Sequence, residues 1–232
     1  MSDQLFLTDF QKSIIYKIPL FRGISDEFKK GLFDKLDYAM YKMEKGEIVI
    51  KQGTPCNHLH ILLEGNLEVN IIDVSGNNVK VENIVAPRSF ATPHLFNDNN
   101  IFPATFTVVE DGILLKATKD SVFKQISSEP ELLKNFLRLT GNCNACTVSR
   151  LKILSYKGIR SRFISYLLDH KQSNNLSVMQ HNQTQLAEYM GVTRPALANE
   201  IKKMVEENLI KVDGKAVKLI SISSLLKYIR IK

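Results

Sequence analysis

The stretch that most constrains this chain is Thr184 to Gly214, TQLAEYMGVTRPALANEIKKMVEENLIKVDG. Leu186, Ala187 and Met190 form a short apolar stripe at helical spacing, and Gly191 follows as a turn residue that tolerates positive φ. Thr193 suits the N-cap of a second helix, and Pro195 sits in its first turn, where a missing N–H costs little. Leu197, Ile201, Met204 and Val205 continue the apolar face, while Arg194, Asn199, Lys202 and Lys203 fall on the opposite one. Two short helices across a tight turn, apolar behind and cationic in front, read as a helix-turn-helix sized for a DNA major groove. Asn208-Leu209-Ile210 and Lys215 to Leu219 read as strands around Asp213-Gly214, a hairpin dipeptide that turns the motif into a winged helix.

Charge is distributed to match. The net charge of +7 is uneven: from Arg150 onward the chain carries 15 Lys and Arg against 6 Asp and Glu. That excess lies in the segment holding the helix-turn-helix, as phosphate neutralisation requires. At 44% hydrophobic, 232 residues can build two packed cores. The N-terminus MSDQLFLTDF has no basic, apolar signal pattern, and no apolar run reaches membrane-spanning length. That pattern predicts no membrane partner, and three cysteines, an odd number, fit a reducing cytoplasm. No P-loop, G-x-S-x-G or metal-spaced His/carboxylate cluster argues for an enzyme, and no catalytic residue is assigned.

Upstream, residues 1 to 43 read as helical, with Ser25 placed to cap a helix through Phe28, Leu32 and Leu36. From Tyr41 to Thr118 the pattern becomes short strands punctuated by Gly46, Gly53, Gly65 and Gly76, which predicts a small antiparallel barrel or roll. Leu132, Phe136, Leu139, Cys143 and Cys146 then recur at steps of four and three, a seam-forming stripe on a long helix. Ile159 to His170 opens the last domain, and Lys171 to Asn175 is a polar loop.

The segments Glu44-Lys45-Gly46-Glu47-Ile48-Val49-Ile50-Lys51-Gln52-Gly53 and His60-Ile61-Leu62-Leu63-Glu64-Gly65-Asn66-Leu67-Glu68-Val69 resemble the cyclic-nucleotide-binding β-roll. Together with the winged helix, the whole of residues 10 to 222 resembles the Crp/Fnr superfamily of bacterial transcription regulators. The resemblance implies an α+β chain: sensor domain with jelly roll over 1–128, dimerisation helix and hinge over 129–157, and winged helix-turn-helix over 158–232. It implies a homodimer on an inverted-repeat operator in double-stranded DNA, and RNA polymerase as a further partner if the protein activates. Arg194 matches the family's base-reading arginine; Asn199 could read adenine, and Pro195 replaces a frequent Glu. Thr184, Thr193 and Lys202 suit phosphate contacts, with Lys203 on the same cationic front. Ser155-Tyr156-Lys157-Gly158 lies at the family's hinge, where Gly158 would let the backbone turn.

The ligand cassette departs from the cyclic-AMP pattern. Ala91-Thr92 stands where the family has Gly-Glu, and Phe102-Pro103 where it has Arg-Ser. Nothing cationic lies between Arg88 and Lys116, so a cyclic nucleotide would bring in an uncompensated phosphate. The Fnr-type iron–sulfur cluster needs four cysteines near the N-terminus, and the three here are Cys56, Cys143 and Cys146. The expected effector pocket is apolar and aromatic: Phe90, Thr92, His94, Phe96, Phe102 and Pro103. One imidazole, His94, among such residues suits haem, although a lone histidine also serves structure alone. Ala86-Pro87-Arg88, Leu95-Phe96 and Asn100-Ile101-Phe102-Pro103 are similar to the subgroup controlling the hybrid-cluster-protein gene, which implies nitrosative stress and nitric oxide as the signal. Two alternatives stay open: a roll that binds nothing, and a thiol switch at Cys143-x-x-Cys146, whose bland counterpart is two small seam hydrophobes.

Overall fold

The structure is a computed structural model that describes residues 6–73, 75–76 and 78–229. The chain forms two compact units, Met1–Cys143 and Asn144–Lys232. The division falls inside one helix.

The first unit opens with α1 (Asp9–Ile15), capped by Thr8, and α2 (Asp26–Lys35), where Ser25 accepts from the Phe28 N–H at 3.2 Å. The helical reading of residues 1–43 fails at its end: β1 (Tyr38–Met43) is a strand, because its side chains alternate between the sheet's two faces. Then come β2 (Ile48–Ile50), β3 (His58–Ile72), β4 (Asn78–Val85), β5 (Arg88–Phe90), α3 (Thr92–Leu95), β6 (Thr105–Thr118) and α4 (Lys119–Ser128). The antiparallel order is β1-β6-β3-β4, with β2 against β6 and β5 against β3.

Strands β3 and β6 are the backbone of the roll, paired from His58↔Thr118 to Asn70↔Thr105. Their register shifts around Glu64–Leu67, where the two chains press together. A Cβ at Gly112 would lie 2.0 Å from the Glu64 carbonyl oxygen, and one at Gly65 would lie 2.7 Å from the Asp111 carbonyl oxygen. Only glycine allows that approach, which bends both long strands into a roll. Leu59, Ile61, Leu62 and Leu63 are all buried, because the middle of β3 is covered on both faces.

Helix α5 (Pro130–Ser155) is 26 residues long. Its side toward the roll carries Leu132, Asn135 and Phe136, all buried, and Leu139, half-buried. Asn135 Nδ2 donates to the carbonyls of Leu20 and Arg22 at 3.2 and 2.6 Å, fastening the helix to the N-terminal segment. The stripe expected to form an intermolecular seam is therefore largely an intramolecular contact. The exposed apolar side chains are instead Leu133, Leu137, Val148 and Leu151. At 100° per residue these share one face, and Cys143 and Cys146 fall on the side of Leu132 and Leu139.

The second unit contains α6 (Ile159–Asp169), β7 (Leu176–Val178), α7 (Gln183–Met190), α8 (Arg194–Glu206), β8 (Ile210–Asp213), β9 (Ala216–Leu219) and α9 (Ile222–Leu226). Its sheet runs β7-β9-β8, so the wing has a third strand, β7, that the polar loop before it concealed. Gly214 (φ 56) makes the hairpin turn. Ile153 from α5 packs with Phe163, Leu167, Leu186, Leu197 and Met204 in the core. Val205, assigned to that face from spacing, is exposed.

Candidate DNA-reading surface and sensor cavity

Helix α7 starts with a capping box in which Asn182 accepts from the Gln185 N–H at 2.9 Å. It ends at Gly191 in the left-handed region (φ 63, ψ 41), which a side chain would strain. Two residues on, Thr193 Oγ1 accepts from the Ala196 N–H at 3.4 Å and starts α8. Because Leu197, Ile201 and Met204 are buried, Thr193, Arg194, Pro195, Asn199, Lys202 and Lys203 all stand exposed. Thr184 is exposed on α7. Among the described residues no carboxylate pairs with Arg194, and Lys202 meets Glu206 only at 3.8 Å on a solvated face. The Thr193 hydroxyl, expected at a phosphate, is already occupied as a cap.

Two carboxylates, Glu200 of α8 and Glu207 at its C-cap, are held by α6. Arg160 of α6 donates from Nε to Glu200 at 2.5 Å, and from Nη1 and Nη2 to Glu207 at 2.6 and 2.8 Å. Its guanidinium also lies 4.9 Å from the Tyr228 ring centroid. Glu207 is consequently held below the usual carboxylate range, mainly by its hydrogen bond from Arg160. Glu200 and Glu207 are thus kept out of the α8 cationic front.

Two further arginines close the end of α7. Arg150 of α5 donates from Nη2 to the Glu188 carbonyl at 3.4 Å and from Nε to the Tyr189 carbonyl at 3.3 Å. Arg162 of α6 donates from Nη1 to the Met190 carbonyl and from Nε to the Tyr156 carbonyl, both at 2.8 Å. The last carbonyls of a helix lack partners inside it and carry its negative dipole end. Here guanidinium groups from both sides of residues 156–158 satisfy them. Gly158 itself is extended (φ −101), and a Cβ there would meet nothing closer than 3.8 Å, so the bend does not need glycine. Sequence reading missed these arginines, since no periodic pattern marks a side chain that bonds to main-chain oxygen.

The first unit holds a cavity of about 490 Å³. Its walls are chiefly Val69, Ile84, Phe90, Pro93, Phe106 and Leu139, so most of the lining is apolar. Phe90 and Phe106 stack at 5.3 Å between centroids. Of the expected pocket residues, Phe90, Thr92, His94 and Pro103 line it. Phe96 does not: it packs edge-on against Phe123 and Phe136. Phe102 is buried against His60 and Phe106 instead. Cys143, taken for a seam residue, lines the same cavity, and both it and Cys146 are exposed.

Ala91 precedes α3 in the left-handed region (φ 58, ψ 15), the backbone that Gly would adopt without strain. His94 has its pKa lowered by burial, which keeps the imidazole neutral near pH 7. Arg88 also lines the cavity, its Nη1 3.0 Å from Oε2 of Glu82, another lining residue. This corrects the sequence expectation that an entering anion would find no cation. The gap counted from Arg88 was real, but pairing with β3 brings Arg88 itself to the wall. His60 is 3% exposed with Nδ1 unpartnered, and burial pushes its pKa down to about 3. Cys56 is buried, its thiol pushed up to about 11, an unreactive setting. Among the described residues no three His, Cys, Asp or Glu converge on a metal position, and no helix is long and apolar enough to cross a membrane.

A strand roll, a long helix and a winged helix-turn-helix together define a DNA-binding regulator. The family described as cyclic nucleotide-binding domain matches residues 41–129, and the Crp-like helix-turn-helix domain matches residues 161–228. The probable transcriptional regulator Flp of Lacticaseibacillus casei is 24% identical over 209 residues, covering 88% of this chain and 92% of that protein. The fold is that of the Thermus thermophilus catabolite activator protein (TM-score 0.53, 19% identity, 91% of this chain and 98% of that one). It is likewise that of a CooA variant from Carboxydothermus hydrogenoformans (TM-score 0.60, 16% identity, 98% and 99%). The chain belongs to the Crp/Fnr family of DNA-binding transcription regulators, whose members are not enzymes.

Proposed function

We propose that the protein is a homodimeric, sequence-specific regulator whose roll senses an apolar effector other than cyclic AMP. The observation that carries this reading is helix α5. It lends Leu139 and Cys143 to the cavity wall of the first unit and Ile153 to the core of the second, so one helix runs through both. A bound effector would bias that helix between two arrangements, and the Arg150 and Arg162 caps would carry the bias to the reading head.

The exposed Leu133, Leu137, Val148 and Leu151 supply an apolar stripe for a second copy. A two-fold dimer presents two α8 helices to successive major grooves of an inverted repeat, about one helical turn apart. Arg194 is the base reader, pairing with guanine through its fork, and Asn199 reads adenine. Lys202, Lys203 and Thr184 lie beside the phosphates, and Pro195 packs near the groove floor without an acceptor for cytosine. An activating member would also contact RNA polymerase.

The effector is nitric oxide taken up on haem. The residues fit: the cavity is apolar, His94 is neutral as an iron ligand must be, and Arg88 can meet a propionate. Bound haem would supply an iron that takes up diatomic gases. His94 would hold the iron, while Phe90, Phe106 and Val69 exclude water from the ring. Similarity of the Ala86-Pro87-Arg88 and Asn100-Ile101-Phe102-Pro103 segments to the hybrid-cluster-protein regulators supports nitrosative stress as the context. Cyclic AMP is disfavoured because Ala91-Thr92 and Phe102-Pro103 stand where the family's cassette carries its ribose and phosphate partners.

The test is an anaerobic absorption titration of the full chain with haem, with and without nitric oxide, followed by binding to an inverted-repeat DNA library. One saturable Soret band per subunit that shifts with nitric oxide and is lost in His94→Ala supports the reading. Absence of a saturable band removes haem. The remaining choice then lies between a roll without ligand and a thiol switch, which Cys143→Ser and Cys146→Ser under peroxide or nitrosothiol would separate.

A further inference from the structure

We infer that the cavity ligand carries an acidic group as well as an apolar body, and that Arg88 recognises that group by exchanging Glu82 for it. The inference rests on the reading of the roll as a ligand sensor and names the chemistry of its ligand.

Three observations carry it. Among the described residues lining this largely apolar cavity Arg88 is the one cation, and it stands on β5, whose next residues Ser89 and Phe90 also line the wall. Its partner Glu82 is on neighbouring β4, with one contact at 3.0 Å through Nη1. Both side chains are nearly half exposed, 47% and 44%. An ion pair so wet contributes little to stability, and releasing Glu82 into water costs little.

A ligand carboxylate is a different matter. Its apolar body would fill the space between Val69, Ile84, Phe90 and Phe106 and displace water from the mouth. The guanidinium would then meet an anion in a drier setting and could use both prongs of its fork. Neutral apolar molecules gain the same contacts with the walls but nothing from Arg88. A cyclic nucleotide offers the anion but brings a polar sugar and base against apolar walls. The fitting class is therefore an apolar carboxylate, whether borne as a porphyrin propionate or as a free alkyl or aryl acid.

The experiment compares acids with their neutral counterparts on the full chain. Haem and haem dimethyl ester are titrated by absorption, and decanoate and decanol by calorimetry. The expected result is about tenfold tighter binding of the acid in at least one pair, in the range of charge-assisted Arg–carboxylate recognition. Arg88→Gln should abolish that preference while leaving the neutral member unchanged. Glu82→Gln, which removes the competitor, should widen it. A preference in the haem pair alone identifies propionates as the source, and one in the decanoate pair alone identifies a free acid. Equal binding of acid and neutral forms, or a preference that survives Arg88→Gln and is unmoved by Glu82→Gln, overturns the inference but leaves the sensor reading standing. No saturable binding of any of the four probes overturns both.

Discussion

The roll and the reading head are held together by different means. In the roll, the decisive contacts are main chain on main chain: two long strands bent together where Gly65 and Gly112 permit an approach no side chain could share. In the head, where helices are short and the three strands have three or four residues each, the decisive contacts are guanidinium groups. Arg150 and Arg162 satisfy the carbonyls at the end of α7, and Arg160 pins α8 through Glu200 and Glu207. A sheet closed by backbone can vary the side chains of its cavity and keep its shape. A head assembled by a few charged side chains has its geometry open to adjustment through those same residues.

Substitutions can break that contrast at either end. The largest effect should follow Gly112→Val, whose Cβ would strike the Glu64 carbonyl; a loss of about 3 kcal/mol or more is expected. Denaturant unfolding followed by circular dichroism would measure it, and a neutral outcome would mean that the strands do not close as described. In the head, Arg162→Gln removes charged donors from the Tyr156 and Met190 carbonyls and should cost about 2–3 kcal/mol. If main-chain packing rather than the guanidinium holds the head, its thermal midpoint will not move.

The pH dependence of the roll gives an effect of similar size. His60 has an ordinary histidine pKa when unfolded and one near 3 when folded, so the unfolded state binds the extra proton. Stability is therefore full above about pH 6.5 and falls as the pH drops toward 3, by about 2 kcal/mol at pH 5. His58, His94 and His181 are displaced the same way by burial. His60→Phe should remove the largest share of the slope between pH 7 and 5, and an unchanged slope would assign it to the others.

Arg194→Ala should cost about 1–3 kcal/mol on the specific operator and little on random DNA. Equal losses on both in a gel-shift titration would make it a phosphate contact. The smallest change should come from Ala91→Gly, which relieves the left-handed alanine before α3 and should stabilise the roll by about 0.5–1 kcal/mol. A destabilised variant would show that the methyl group's packing outweighs the strain.

Much of the head was legible in advance because its signals are local. Thr193 as a cap, Gly191 as a left-handed turn and Leu186, Leu197 and Met204 as core each depend on neighbours within a few residues. The roll was legible as a class from its short strands and glycines. Less legible were features that require two distant segments. Spacing showed that Leu132, Phe136 and Leu139 share a helix face, but not that the face would pack on the chain's own roll. It grouped Phe96 and Phe102 with the pocket, although α3 and the following segment send both rings elsewhere.

The sequence by itself determined two domains, their order, a basic reading head and a roll cassette without the Gly-Glu and Arg-Ser pairs. Periodicity and capping are short-range properties, and they survive whatever the rest of the chain does. Only the tertiary structure decided which residues surround the cavity, that Arg88 and Cys143 reach it, and that arginines from two helices close the end of a third. Those outcomes depend on strand register and helix rotation, which follow from packing across more than a hundred residues at once.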